Sequence, residues 1–211
     1  MREPRGQARA TYHHGNLRQA LIDGALALIA EQDITGLSLR EVARRAGVAR
    51  SAPYHHFRDK DALLATLAAE GFRALNQRID DSVRGLRDPR GMAEAAAHAY
   101  IDFAIENPAQ FRVMNRPEFA KLDQPEGREM HEVADGAFRR LLLMVQALDT
   151  EHCASDHELT TRAIAAWSTL HGFVRLWIEG PIERSIGPTD RMRLQRGVVD
   201  HAIQIASPAR T

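Results

Sequence analysis

One cysteine, no long apolar run and no net charge are the first facts of this 211-residue chain. Cys153 has no second cysteine to pair with, so no internal disulfide framework holds the fold, and a reducing cytoplasm is the expected compartment. No apolar run approaches the roughly 18 residues that suggest a membrane span. The opening residues, MREPRGQARATYHHGN, have no apolar core of their own, and no secretory signal is expected there. Alternation with period two is missing over any stretch of strand length. Missing too are a Gly-rich phosphate loop, a G-x-S-x-G elbow and an H-E-x-x-H pair, so neither catalysis nor a cofactor is expected. His152 beside Cys153 falls in a loop, and nothing marks that thiol as an activated nucleophile. Histidines number ten, but His13-His14 and His55-His56 are adjacent pairs that cannot both face one site on a helix. Asp156, His157 and Glu158 lack the i, i+4 spacing of a helical zinc pair, so no metal site is expected.

What is present is a mixed composition, 44% hydrophobic and 27% charged, which fits a globular chain rather than a disordered one. Overall neutrality hides an asymmetry. Residues 1–60 carry ten Lys/Arg against six Asp/Glu, while residues 61–211 carry eighteen against twenty-two. A basic N-terminal end on a mildly acidic body suits a head that binds polyanions.

Helical periodicity runs through the chain and predicts an all-α fold of about nine helices. Asn16, with Gln19 closing a capping box, predicts a first helix over about 17–32. Ser38 and Glu41 in SLRE form a second box and open a short helix to about Ala46. Gly47 interrupts it, and a third short helix is expected over about Arg50–His56. Asp59 caps a long fourth helix that ends near RDPRG. Pro89 starts the next, Asn107-Pro108 ends it and begins a short one, and NRPEFAKLDQPEGR reads as a looser stretch. Further helices are expected at about 126–148, from a box at Ser155 and Glu158 to about Glu179, and over about 190–206, with GPIERSIGPTD as a break. The expected domains are 1–60 and 61–211, with the helix at about 59–85 as the link.

Two short helices joined by a turn that contains Gly match the helix-turn-helix motif. Ala43 is small where the second helix approaches, and Gly47 can take the positive φ that the turn needs. Val42, Ala46, Val48 and Phe57 supply apolar faces against Leu26 and Ile29. In such a unit the later helix enters the DNA major groove. Arg50, Ser51 and Ala52 then stand where side chains meet base edges, and arginine is the commonest specific partner of guanine. Tyr54, His55, Arg40, Arg44 and Lys60 are expected at phosphates. Arg2, Arg5 and Arg9 are expected in an arm against a minor groove. Pro53 is acceptable only in the first turn of its helix, where amides lack partners.

The continuous stretch LIDGALALIAEQDITGLSLREVARRAGVARSAPYHHFRDKDALLATL resembles the TetR family of bacterial transcriptional regulators. The resemblance rests on the GLSLREVA entry, AGV at the turn, YHHF closing the recognition helix and KDALL opening the next. It implies that Tyr54, His55 and Lys60 hold phosphates and that residues 50–52 read bases. Ala52-Pro53 departs from the Thr-Leu that members often carry. In the other half, AAWSTLHGFVRLWIEG resembles a subgroup named for a Trp-His-Gly signature, matched by Trp167, His171 and Gly172. This implies a helical dimerisation and ligand-sensing domain. The family also implies repression.

The C-terminal half carries its own pattern. On the helix at 156–179, Ile164, Trp167, His171, Val174 and Ile178 form one apolar line, and Ala163, Ala166, Leu170, Phe173 and Trp177 form another. A helix apolar over that much of its circumference must be covered on more than one side. Leu194, Val198, Ala202 and Ile205 offer matching spacing on the last helix. Packing both helices against their symmetry mates predicts a four-helix homodimer interface. Paired heads would read half-sites about 34–36 Å apart, or a multiple of that, in a near-palindromic operator. Met92, Tyr100, Phe103, Phe111, Met114, Phe138, Leu142 and Trp167 are the expected walls of a cavity for a small-molecule effector, with His171 as its polar anchor. Effector binding is expected to act by population shift through the long fourth helix. Double-stranded DNA, an effector and a second copy of the chain are thus the expected partners, with no membrane. A protein-interaction module that uses the N-terminal pair only as scaffold is the competing reading.

Overall fold

The computed structural model describes residues 14–122, 124–149, 154–187 and 190–208. The expected arm residues Arg2, Arg5 and Arg9, and the His152-Cys153 pair, lie outside the described residues. Nine α-helices and three short 3₁₀ helices, and no strand, occur among the described residues, so the fold is all-α. The chain divides into two compact units, Met1–Leu63 and Leu64–Thr211.

In the N-terminal unit α1 (His14–Gln32) buries Leu21, Ile22, Ala25, Leu28 and Ile29 on one face. These residues recur every three or four positions, which is the period that places them on one side of a helix. The helix already runs at His14, so Asn16 lies inside it and is not its cap. Gln19 closes no capping box there, and its amide donates to Asp23 Oδ1 at 2.9 Å. α2 (Leu39–Arg45) starts at Ser38, whose Oγ accepts the Glu41 amide at 3.2 Å. Glu41 does not reach back to complete the box, because its carboxylate is taken by Arg44 one turn on.

α2 ends in a Schellman motif. The Gly47 amide donates to Arg44 O at 3.2 Å, the Val48 amide donates to Ala43 O at 3.0 Å, and Gly47 has φ 68°. The segment that follows is a 3₁₀ helix over Ala52–His55, shorter and tighter than the helix expected over Arg50–His56. Pro53 supplies the reason. It has no N–H to donate to the Ala49 carbonyl, and that carbonyl instead accepts the Ala52 amide at 2.9 Å. Arg50 and Ser51 therefore sit in the turn before the helix. Asp59 Oδ1 accepts the Ala62 amide at 2.8 Å and starts α3 (Lys60–Val83), whose first four residues close the N-terminal unit.

The C-terminal unit contains the rest of α3, α4 (Pro89–Glu106), α5 (Pro108–Met114), α6 (Pro125–Leu148), α7 (Asp156–Ile178), α8 (Pro181–Ile186) and α9 (Arg191–Ala206). α8 occupies the stretch expected to be only a break, and a 3₁₀ helix over Pro117–Lys121 occupies the stretch expected to be loose. Ser155 and Glu158 form the complete capping box of α7. Asp88 caps α4 through the Gly91 amide at 2.7 Å. Small residues set the packing. Ala93, Ala97 and Ala104 of α4, Ala163 and Ala166 of α7, and Ala202 and Ala206 of α9 are all buried in one core with Ile101, Phe111 and Val174. No helix among the described residues is long and apolar enough to cross a membrane.

Candidate functional site

The surface of the N-terminal unit is decided by which arginines are already paired. Arg45 donates two hydrogen bonds to the Glu31 carboxylate, at 2.8 and 2.6 Å, and so ties α2 to α1. Arg44 is held by Glu41 on its own helix. Arg58 is held by Asp59 at 2.9 Å, and Arg18 lies over the Phe57 ring at 5.8 Å. Arg40 and Arg50 are exposed and have no ion-pair partner among the described residues. Tyr54 is 52% exposed, a large fraction for a ring on a core-forming segment, and His55 and Ser51 are exposed beside it. Ala52 is half-buried. Pro53 and Phe57 are buried and anchor this short helix from below.

Lys60 differs from the others. Its Nζ donates to the Ile34 carbonyl at 2.9 Å, which fastens the start of α3 to the loop after α1. Of the eight expected DNA contacts, Arg40, Arg50, Ser51, Tyr54 and His55 are thus presented freely, and Arg44 is exposed but paired. Lys60 is half-buried and bonded to the backbone.

The C-terminal unit contains a cavity of about 540 Å³ that is partly open to solvent. Tyr100, Phe111, Met114, Phe138 and Trp167 line it, whereas Phe103, Leu142, Met92 and His171 are not among its lining residues. Phe103 points into the core, where it is buried. His171 stands one residue back from the wall. Its Nδ1 meets Tyr100 Oη at 2.9 Å, and Trp167 Nε1 donates to the same oxygen at 3.3 Å. The His171 ring also packs on Phe111 and Trp167, with centroids 5.4 and 5.9 Å away. Burial pushes the Tyr100 phenol well above its ordinary range, against a smaller opposing effect of the Trp167 hydrogen bond, so it stays neutral. Burial, and then the Arg175 charge, push the His171 imidazole below its ordinary value.

Sequence reading missed one wall of the cavity. Phe72, Leu75 and Ile79 of α3 line it at three- and four-residue spacing, a signal present in the sequence but read only as a linking helix. It also missed Arg140, which lines the cavity and donates to both oxygens of Asp80 at 2.8 Å. Those residues are sixty positions apart, and no local pattern connects them. Behind the cavity Gln195, fully buried on α9, donates to His98 Nδ1 at 3.0 Å and to Asp102 Oδ1 at 3.1 Å. Arg191 donates to Gln195 Oε1 at 2.7 Å and to Asp102 at 2.9 Å, which pins α9 to α4.

The expected interface residues separate in the same way. Ala166 and Phe173 are buried within this chain's own core, whereas Trp177, Leu194, Val198 and Ile205 are half-buried around it. Ile164, Leu176 and Met192 are the large apolar side chains that α7 and α9 leave exposed, together with Trp167. No group of three or more His, Cys, Asp or Glu able to hold a metal occurs among the described residues.

Comparison with known proteins places this geometry. Residues 21–67 match the family model for bacterial regulatory proteins of the tetR family, and residues 93–201 match the model for the tetracyclin repressor-like C-terminal domain. The HTH-type transcriptional regulator YobS of Bacillus subtilis (strain 168), itself uncharacterized, is 30% identical over 169 residues, which are 80% of this chain and 83% of that protein. A protein of unknown function from Rhodococcus sp. RHA1 is 27% identical, with a TM-score of 0.73 over 94% of this chain and 97% of its own. A bacterial regulatory protein in the tetR family, from Rhodococcus RHA1, shares the fold at 17% identity and a TM-score of 0.74, over 92% of this chain and 98% of its own. Members of this family are non-enzymatic DNA-binding proteins. With a Gly-turned helix pair in its N-terminal unit and a helical unit after it, the chain belongs to the TetR family and is a DNA-binding transcriptional regulator.

Proposed function

We propose that the chain is a cytoplasmic repressor that binds a near-palindromic operator as a homodimer and responds to a small-molecule effector in the C-terminal cavity. The observation that carries this reading is the pairing, on one chain, of an unpaired Arg50–Tyr54 surface with a separate, mostly apolar cavity. Arg50 and Ser51 meet base edges, Tyr54, His55 and Arg40 hold phosphates, and Arg44 joins them by exchanging Glu41 for a phosphate oxygen. Lys60 acts from behind, by fixing the start of α3 through Ile34. The exposed apolar side chains Ile164, Leu176 and Met192, with half-buried Trp177, Leu194, Val198 and Ile205, form the face that meets the second copy, while Ala166 and Phe173 support it from the core. The contact of Trp167 with His171 supports assignment of the domain to the Trp-His-Gly subgroup. An effector that fits one conformation of the dimer better than the other changes DNA occupancy by its difference in affinity for the two.

Selection of bound sequences from a random duplex pool, at near-physiological salt, tests the reading. One near-palindrome should be enriched, and Arg50→Ala and Tyr54→Ala should each abolish the enrichment. Unchanged binding to every duplex in both variants would instead favour a protein-interaction module.

A further inference from the structure

The effector's chemistry can be narrowed from the charges in the cavity wall; this rests on the effector role just proposed for that cavity. Arg140 is the one cation among the lining residues, and its charge is already paired, with three of its five N–H donors engaged. Its Nε and Nη2 donate to Asp80 at 2.8 Å and its Nη1 donates to Gly136 O at 3.2 Å. Asp135 brings a carboxylate to the same wall and has no ion-pair partner among the described residues. An anionic head group would therefore meet a neutralised arginine and an unneutralised carboxylate. A cationic head group fares little better. Asp80 and Asp135 are both exposed, and beside half-buried Tyr100 and His171 a cation would meet neutral groups only, with the Arg175 charge near His171 opposing it. Moving a charge from water to such a place without a partner is strongly unfavourable.

The Tyr100 cluster offers something else. An indole N–H only donates, so Tyr100 Oη accepts from Trp167. When His171 Nδ1 is unprotonated, the phenol O–H donates to it, and one lone pair of Tyr100 Oη remains for a ligand hydroxyl. When Nδ1 carries the proton, it donates to Tyr100 Oη instead, and the phenol O–H is free for a ligand carbonyl. Exchange between the two imidazole tautomers thus lets one tyrosine serve either oxygen. The remaining walls, including Phe72, Phe138, Met114 and Met144, are apolar. At ~30 Å³ per water, a volume of 540 Å³ is room for roughly 18 waters, enough for a medium-chain or two-ring molecule.

We propose that the effector is an uncharged, mostly apolar molecule whose hydroxyl or carbonyl oxygen hydrogen-bonds to Tyr100 Oη. Acids and amines of the same size are disfavoured, because Arg140 is paired with Asp80 and Arg175, whose charge reaches His171, is paired with Glu179.

The test uses the full chain at neutral pH. Nile red, a neutral apolar fluorophore, reports occupancy of the cavity, and decanol, decanoate and decylammonium are compared as competitors of equal chain length. Decanol should displace the dye at a concentration at least about tenfold below the two charged compounds, because neither ion finds a partner inside. Tyr100→Phe should weaken decanol roughly three- to tenfold, the net value of one hydrogen bond, and leave decane unaffected. Decanoate or decylammonium competing as well as decanol would overturn the chemical class while leaving the cavity a ligand site. If neither the dye nor any decyl compound binds, the effector reading of the cavity fails as well. The wild-type selectivity decides the matter even if Tyr100→Phe does not fold.

Discussion

Gly47 and Pro53, six residues apart, determine by opposite means the shape of the segment proposed to read DNA. Gly47 takes φ 68°, which closes the Schellman motif, and a Cβ there would meet nothing within 4 Å. The penalty of a side chain is therefore one of backbone conformation alone, about 1–2 kcal/mol for an L-residue in the left-handed region. Gly47→Ala should lower the stability of the chain by about that amount, measured by chemical denaturation, and Gly47→Asn should recover part of it, since Asn tolerates this region better. A neutral Gly47→Ala would mean that the turn opens readily and does not set the approach of the two helices. Pro53 works by subtraction. The missing donor shortens the recognition segment to a single 3₁₀ stretch and leaves Arg50 and Ser51 on the turn before it. The role of Gly47 was readable in the sequence, because it depends on that residue's own backbone chemistry, whereas Pro53 was read only as acceptable in a first turn and the helix was expected to run over Arg50–His56. That Arg45 is tied to Glu31 while Arg40 is free was not readable, because the two arginines look alike until α1 and α2 are placed together.

At the scale of elements, α3 and α5 approach so closely that only glycine fits between them. A Cβ built on Gly71 would lie 2.6 Å from Met114 Sδ and 2.9 Å from Gln110 Cγ. Met114 also lines the cavity, so this contact sets both the helix spacing and the shape of the wall. Gly71→Ala should force the Met114 and Gln110 side chains to shift and destabilise the chain by about 1–3 kcal/mol, less up to ~1 kcal/mol gained from helix propensity. Met114→Ala removes the obstacle, so the double variant Gly71→Ala/Met114→Ala should be more stable than the sum of the single effects. Strict additivity in that cycle would show that the helices are not in the contact described. The caps, by contrast, were largely legible: Ser38, Asp59 and Ser155 each accept the amide of a residue three positions on, as does Asp88, which the sequence reading passed over for Pro89. The start of α1 was misread because Asn16 and Gln19 have the form of a box without its position.

For the whole molecule, two half-buried polar groups make stability depend on pH in the same direction but over different ranges. Burial, and then Arg175, hold the His171 imidazole below its ordinary 6.5. Below that value the unfolded chain binds more protons than the folded one, so this contribution is complete above pH 6.5 and declines as pH falls beneath it. For Asp102, burial opposes ionisation, but hydrogen bonds from Arg191 and Gln195 outweigh it and hold the carboxyl below its ordinary 3.8. That contribution is complete above 3.8 and is lost as pH falls beneath it. Thermal unfolding should therefore show a first decline in Tm on acidification from about pH 6.5, which His171→Gln removes, and a second below about pH 4, which Asp102→Asn reduces but does not abolish, because carboxylates such as Asp80 and Glu106 are also held low by arginines. A His171→Gln profile parallel to that of the unmodified chain would show that the imidazole is not held neutral by the fold.

What the sequence determined by itself is what neighbouring residues determine. Apolar residues three and four positions apart set the helices, side chains three positions from an amide cap them, and a Gly before Val48 sets the turn of the N-terminal helix pair. What only the tertiary structure decided depends on partners far apart in the chain. Tyr100 meets His171 across 71 positions, Arg140 meets Asp80 across 60, and Gln195 meets His98 across 97. These pairings select which arginines remain free, which aromatic residues face a cavity rather than the core, and which charges that cavity can accept. Local patterning places a side chain on one face of its helix, but its partner is set only when the helices pack, through short-range contacts that no sequence interval encodes.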